Sequence, residues 1–266
     1  MKPDKKPSST LKKIVITFLI FLVLVILTYM VLLITGTKKK IIAINNEFGL
    51  KEQAAQEITN NLYSNPEYLD LQKKKAFLQA KILMAGSDSI GLSIDLRDSI
   101  ASLEINGASV YSVHINQIRT SSIFRKVDEY SVIKMLSKPF EVQESFSSIK
   151  KEPLITTIAP KDTIAANIPT VLPDTSSVEP VNFILLLNNG VKLYVYQAED
   201  NTSSDRKNMF RFDLYDRLSY ARGAIKNIMS LKIPESQPFI KIRLPKDDVK
   251  IIYRAIPTKG MIAIYL

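Results

Sequence analysis

The run IVITFLIFLVLVILTYMVLLIT, Ile14 to Thr35, is 22 residues without a charge, and its only polar side chains are Thr17, Thr28, Tyr29 and Thr35. At about 1.5 Å of rise per residue a helix of this length crosses the roughly 30 Å hydrocarbon core of a bilayer. A cleaved signal peptide would have a shorter apolar region, about 7 to 15 residues, followed by small residues at the cleavage point. Here the run is followed by Thr-Gly-Thr-Lys-Lys-Lys. The sequence therefore predicts an uncleaved transmembrane helix over 14–35. Lys2, Lys5, Lys6, Lys12 and Lys13 precede it and Lys38, Lys39 and Lys40 follow. That bias places residues 1–13 as a tail in the cytoplasm and everything after the helix outside the cytoplasmic membrane.

This location bears on the charge. The chain carries a net +10, which invites a nucleic-acid reading, but eight of its 36 basic residues flank the membrane run. Beyond residue 35, 31 Lys and Arg face 25 Asp and Glu. The lysine flanks read as contacts with anionic membrane lipid, and no nucleic-acid partner is expected. The absence of cysteine suits an extracytoplasmic location, because such a chain neither needs nor risks disulfides.

Residues 41–86 read as a helical juxtamembrane hairpin. Phe48, Ala55, Ile58 and Leu62 keep helical spacing in the first arm. In the second, Asn65 can cap, Pro66 suits the first turn, Tyr68, Leu71, Leu78 and Ile82 form a stripe, and Gly86 ends it. From Leu92 the period becomes strand-like. Asn106-Gly107 between two β-rich runs predicts a tight hairpin, and Asn188-Asn189-Gly190 between FILLL and VKLYVYQ repeats the device. Ile123 to Ser137 is expected to be helical. Residues 151–180 hold five of the thirteen prolines and read as an extended linker interrupting the domain. Leu214, Leu218, Ala221, Ile225 and Ile228 mark one apolar helical face. A last helix begins at Pro245 with Asp247 and Asp248 in its first turn, stops before Pro257, and leads through Gly260 into a final strand, MIAIYL.

That ending resembles the end of the L,D-transpeptidase catalytic domain, a β-rich fold that cross-links peptidoglycan through a cysteine. Arg243 matches the arginine of the family's Ser-His-Gly-Cys-x-Arg motif. Asp248 matches the acidic position of the following helix, Ile252 and Tyr253 its Leu-Tyr-like pair, Ile256 and Pro257 the Val-Pro, and Gly260 the turn. The segment LSIDLRDSIASLEINGASVYSVHI is similar to the opening of that domain. The resemblance covers about residues 90–115 and 182–266. With the transmembrane helix and juxtamembrane hairpin read above, it implies an α+β protein whose residues 87–266 form an L,D-transpeptidase-like domain with added helices.

The chemistry departs from the family. Counting back from Arg243 puts Lys241 at the cysteine, Ile240 at the glycine, Phe239 at the histidine and Pro238 at the serine. The second family histidine falls near Tyr194 or Tyr196. The resemblance thus implies a domain without transpeptidation, no enzyme and no cofactor, acting in binding or scaffolding with peptidoglycan or envelope proteins. The alternatives are a structural subunit of a membrane-associated envelope complex and, behind it, a peptidoglycan-modifying enzyme with a non-cysteine mechanism. For the last, Ser131 and Lys134 offer a Ser-x-x-Lys spacing on a helix, without the partner motifs of that class. One histidine, His114, and no cysteine supply too few ligands for zinc. Lys241 and Arg243, two apart on a strand, share a face and are candidate binding residues together with Tyr194. An alternating strand beside Arg243 gives no reason to expect Lys241 to be desolvated. Oligomeric state has no signature.

Overall fold

The computed structural model describes residues 9–50, 65–151, 180–198, 203–230, 233 and 236–266. The elements are α1 (Ser9–Phe48), α2 (Pro66–Ala85), β1 (Gly91–Asp95), β2 (Ile100–Ile105), β3 (Ala108–His114), β4 (Gln117–Thr120), α3 (Glu129–Leu136), β5 (Phe140–Ser147), β6 (Asn182–Leu187), β7 (Lys192–Gln197), α4 (Ser203–Met229), β8 (Phe239–Leu244), α5 (Lys246–Ala255) and β9 (Met261–Tyr265). The protein is therefore mixed α and β, with one long apolar N-terminal helix and a large sheet.

α1 is long and apolar enough to cross a membrane. Every side chain from Ile14 to Thr28 is exposed, whereas Tyr29 is half-buried and Gly36 buried. The helix does not end with the apolar run. It continues through the three lysines to Phe48 and docks on the domain. Lys40 Nζ donates to the Asn189 carbonyl at 3.3 Å, Thr37 donates to Ser236 at 3.4 Å, and Asn45 accepts from the Asp128 amide at 3.2 Å. Ile44 belongs to the main core, with Ile41 and Phe48 against it. The first arm of the expected hairpin thus begins as a continuation of α1, and its remaining positions, Ala55, Ile58 and Leu62, lie outside the described residues.

The nine strands among the described residues form one sheet in the order β3-β2-β1-β9-β5-β6-β7-β8-β4, antiparallel except for β1–β9 and β7–β8. Laid flat, eight inter-strand steps would separate β3 from β4 by about 38 Å. Yet only Ile115 and Asn116 connect them, a link of at most about 11 Å. The sheet must roll until its edges meet. At that seam the Ile115 amide donates to the Ser99 carbonyl at 2.7 Å and the Asn116 amide to the Arg243 carbonyl at 2.9 Å.

Inside the roll lies the main core, fed by Leu92, Ile94, Phe183, Leu185, Leu193, Ile240, Ile242, Leu244, Ile262 and Ile264 from five strands. α5 plugs it with Val249, Ile252 and Tyr253, whose ring meets Phe183 at 5.1 Å, and Asp248 accepts a hydrogen bond from Tyr111. The Asp247 and Asp248 start, the extended Ile256 before Pro257 and the Gly260 turn all occur as the sequence predicts. Gly260 is needed for space, since a Cβ there would come within 2.7 Å of Ile256 Cγ2.

Both hairpins form. Asn106 and Gly107 have φ of 49° and 80°, the two positive values a tight primed turn demands. Residues 152–179, which hold the expected Pro-rich linker, lie outside the described residues. The chain leaves β5 and returns to β6 at nearly the same point, because the Ser148 hydroxyl donates to the Pro180 carbonyl at 2.7 Å. β5 and β6 then pair as neighbours.

Three sequence expectations are corrected. The helix expected over 123–137 is only Glu129–Leu136, because the Asp128 carboxylate accepts from the Ser131 amide at 3.1 Å and caps it there. In α2, Asn65 caps and Gly86 closes as expected, but Leu71, Leu78 and Ile82 are exposed. The buried face is Phe77, Ala80 and Met84, small enough at Ala80 to sit against Ala263 and Tyr265 of β9. In α4 the expected apolar stripe, over the side chains that are described, also faces outward. Leu214 and Leu218 are exposed, while Met209, Phe212 and Ala224 turn toward the protein. Both helices carry two stripes, and hydropathy alone chose the wrong one.

Candidate functional site

α4 lies across the outer surface of β6, β7 and β8, where Phe212 and Met209 pack with Ile184, Tyr194, Tyr196 and Phe239. β8 alternates as expected. Ile240, Ile242 and Leu244 enter the core, and Lys241 and Arg243 stand half-buried on the outer face. In the parallel pairing Tyr194 is opposite Lys241 and Tyr196 opposite Arg243; in the antiparallel pairing Arg119 of β4 is opposite Lys241 and Gln117 opposite Arg243. Residues so paired share a face. Two rows result, Tyr194-Lys241-Arg119 and Tyr196-Arg243-Gln117.

The ammonium of Lys241 occupies an aromatic box. It sits 4.2 Å from the Tyr194 ring centroid, 5.4 Å from Tyr196 and 5.7 Å from Phe239, distances at which each ring face attracts a cation. It donates to the Tyr196 hydroxyl at 3.2 Å and lies 3.9 Å from Asp213 Oδ2. Tyr196 in turn donates to Asp213 Oδ1 at 2.5 Å. One turn along α4, Asp216 accepts from Tyr194 at 2.8 Å and from Lys192 at 2.8 Å. Helix positions three apart thus serve strand positions two apart.

Burial lowers the Lys241 amine below its ordinary value, with the Asp213 carboxylate partly offsetting it. The expectation that Lys241 would not be desolvated is therefore corrected, because Tyr194 and Tyr196 of β7 and Asp213 of α4 join Phe239 of its own strand around the amine. The Tyr194 and Tyr196 phenols are raised, first by burial and then by donating to Asp216 and Asp213.

Beside this box a groove of about 610 Å³ is lined by Gln117, Ile118, Arg119, Tyr196, Met209, Asp213, Arg217, Lys241 and Arg243. Four cations and one carboxylate line it. Asp213 is already shared among Tyr196, Lys241 and Arg217, the last at 3.8 Å. Arg243 Nη2 lies 3.9 Å from Met209 Sδ. Such a surface suits an anion with planar oxygens, for which guanidinium groups supply paired donors.

The structure brings Lys241, Arg243 and Tyr194 onto one face. Four groups escaped the sequence: Arg119, Asp213, Asp216 and Arg217. They become visible only once α4 is known to cover β7 and β4 to pair with β8. The remaining candidates fall elsewhere. Ser131 is fully buried and bonded to Asp128, while Lys134 is exposed, so no amine serves that hydroxyl. His114 is exposed at the end of β3, outside the groove lining. Among the described residues no group of three or more His, Cys, Asp or Glu could hold a metal. Comparison with protein-family models, with curated proteins and with solved structures finds no match.

Proposed function

We propose that the chain is a single-pass membrane protein whose outer domain is a catalytically inactive, L,D-transpeptidase-like module that binds a carboxylate of a peptidoglycan stem peptide. In this reading α1 crosses the cytoplasmic membrane with its N-terminus inside, as the lysine bias favours. The observation that carries the proposal is the cationic row across β4 and β8, Arg119 and Lys241 beside Arg243, opening into the groove under α4. The same positions argue against catalysis. Where the family has its nucleophile this chain has an amine engaged by Tyr196 and Asp213, and where the family has a histidine it has Phe239. The sequence has no cysteine to supply a thiolate, and the carboxylate near Lys241, Asp213, is already shared with Tyr196 and Arg217.

A second reading, a structural subunit of an envelope complex, is favoured by the exposed stripe Leu71, Leu78 and Ile82 on α2. Co-sedimentation of the full chain in detergent with isolated peptidoglycan separates the two. The proposal expects sedimentation that is lost in Arg119→Glu/Arg243→Glu. If the wild type stays in the supernatant and instead co-purifies stoichiometrically with other membrane proteins, the subunit reading replaces it.

A further inference from the structure

α4 holds six basic residues, Arg206, Lys207, Arg211, Arg217, Arg222 and Lys226, and all six are exposed. Of its three acids, Asp213 and Asp216 are turned inward to Tyr196, Tyr194 and Lys192. The outer surface is thus basic beyond what the helix composition suggests. Along it runs an apolar stripe at i, i+4, i+8 and i+11. Phe210 is 65%, Leu214 41% and Leu218 49% exposed, and Ala221 follows. At 100° per residue, Arg211 and Arg222 flank this stripe on one side and Arg206 and Arg217 on the other. An apolar stripe between two basic margins is the pattern of a helix lying in a bilayer interface, its stems sunk and its cations at the headgroups.

A second observation places that helix at the right height. Leu214, Leu218, Tyr220 and Ala221 line the same cavity as Tyr29 of α1. Tyr29 stands six residues inside the end of the apolar run, about 9 Å along the helix axis from Thr35. Interfacial helices bury their apolar face about 5–10 Å below the headgroups. The two depths agree.

We infer that α4 is an interfacial helix: its Phe210-Leu214-Leu218 face docks on the outer leaflet of the membrane that α1 spans, and its arginines and lysines engage the phosphates of anionic lipid. The inference rests on α1 crossing the membrane. The docked helix is the roof of the Lys241 groove, so the groove is held beside the bilayer.

Because the sequence contains no cysteine, single cysteines report depth cleanly. The full chain carrying a fluorophore at Leu24→Cys, Leu214→Cys, Leu218→Cys or Ser219→Cys is reconstituted in nanodiscs of phosphatidylcholine with phosphatidylglycerol, with and without brominated acyl chains. Ser219 is the control, being exposed on α4 away from the stripe. The inference expects labels at 214 and 218 to be quenched by brominated lipid at least about twofold more than at 219. It also expects this excess to fall when Arg206, Lys207, Arg211 and Arg222 become glutamine, or when phosphatidylglycerol is omitted. Strong quenching at 24 with none above the control at 214 and 218 overturns the inference while leaving the membrane reading intact. Absence of quenching at 24 overturns the membrane reading itself. Shielding at 214 and 218 that brominated lipid does not affect makes the stripe a protein–protein interface and also overturns the inference.

Discussion

The Tyr196 hydroxyl donates to Asp213 at 2.5 Å while accepting from Lys241 at 3.2 Å, so one phenol joins the central strand of the site to the helix that roofs it. Asp213→Ala removes the acceptor that the phenol, Lys241 and Arg217 share. An unsatisfied, largely buried donor costs about 1–3 kcal/mol, and chemical denaturation should show a loss in that range. Tyr196→Phe should cost less, because it removes the hydroxyl and leaves the ring packed against Met209 and Phe212. Equal stability of Asp213→Ala and the wild type would mean that α4 is not held to β7 by these bonds.

The same groups set the response to alkali. Tyr194 and Tyr196 have folded-state values raised above the ordinary 10.0, by burial first, and Tyr111 is pushed up to about 12 by donating to Asp248. A group raised on folding contributes stability that is present below its unfolded value and is lost as pH climbs above it. These three phenols therefore weaken the fold as pH rises past about 10. Lys241 acts in the opposite sense, since its lowered amine makes the charged form costly below about 10.5 and relieves that cost above. Lys151, lowered by burial, acts as Lys241 does, and the relief of both amines is complete by about pH 10.5, so above it the three phenols decide: stability should fall toward pH 12, and Tyr196→Phe should flatten the fall. Unfolding free energies that rise over that window in the wild type would contradict this balance.

Pairing across the Pro-rich segment predicts the behaviour of a split chain. β5 pairs with β6, β1 with β9 and β4 with β8, so each half supplies strands that only the other can satisfy. A protease site introduced between Lys151 and Pro180 and cut in the folded protein should leave two fragments that elute together until denaturant is added. Fragments that part in native buffer, each keeping its circular dichroism, would mean two independent cores.

What the sequence disclosed divides along a physical line. Features fixed by neighbours in the chain were legible: the apolar helix, the Asn106-Gly107 turn, the Asn65 cap, the alternation of Lys241 and Arg243, and the aspartates opening α5. Features fixed by distant pairing were not. β4, four residues long, has no hydrophobic pattern of its own and exists because β8 offers an edge. α1 runs past its apolar stretch because Ile44 finds the core and Lys40 finds Asn189. The face α4 buries is chosen by Tyr194 and Tyr196 rather than by its most apolar stripe. The desolvation of Lys241 follows from that choice, which is why strand periodicity located the residue and missed its environment.

The central claim is that the groove binds a stem-peptide carboxylate and leaves the peptide intact. The most direct measurement incubates the full chain in nanodiscs with tetrapeptide and pentapeptide muropeptides, follows binding by equilibrium dialysis, and analyses the recovered ligand by mass spectrometry. The predicted result is saturable binding, abolished in Arg119→Ala/Arg243→Ala, with every muropeptide recovered at its starting mass. A cross-linked or shortened product that disappears in Lys241→Ala would contradict it and make the desolvated amine a catalytic residue.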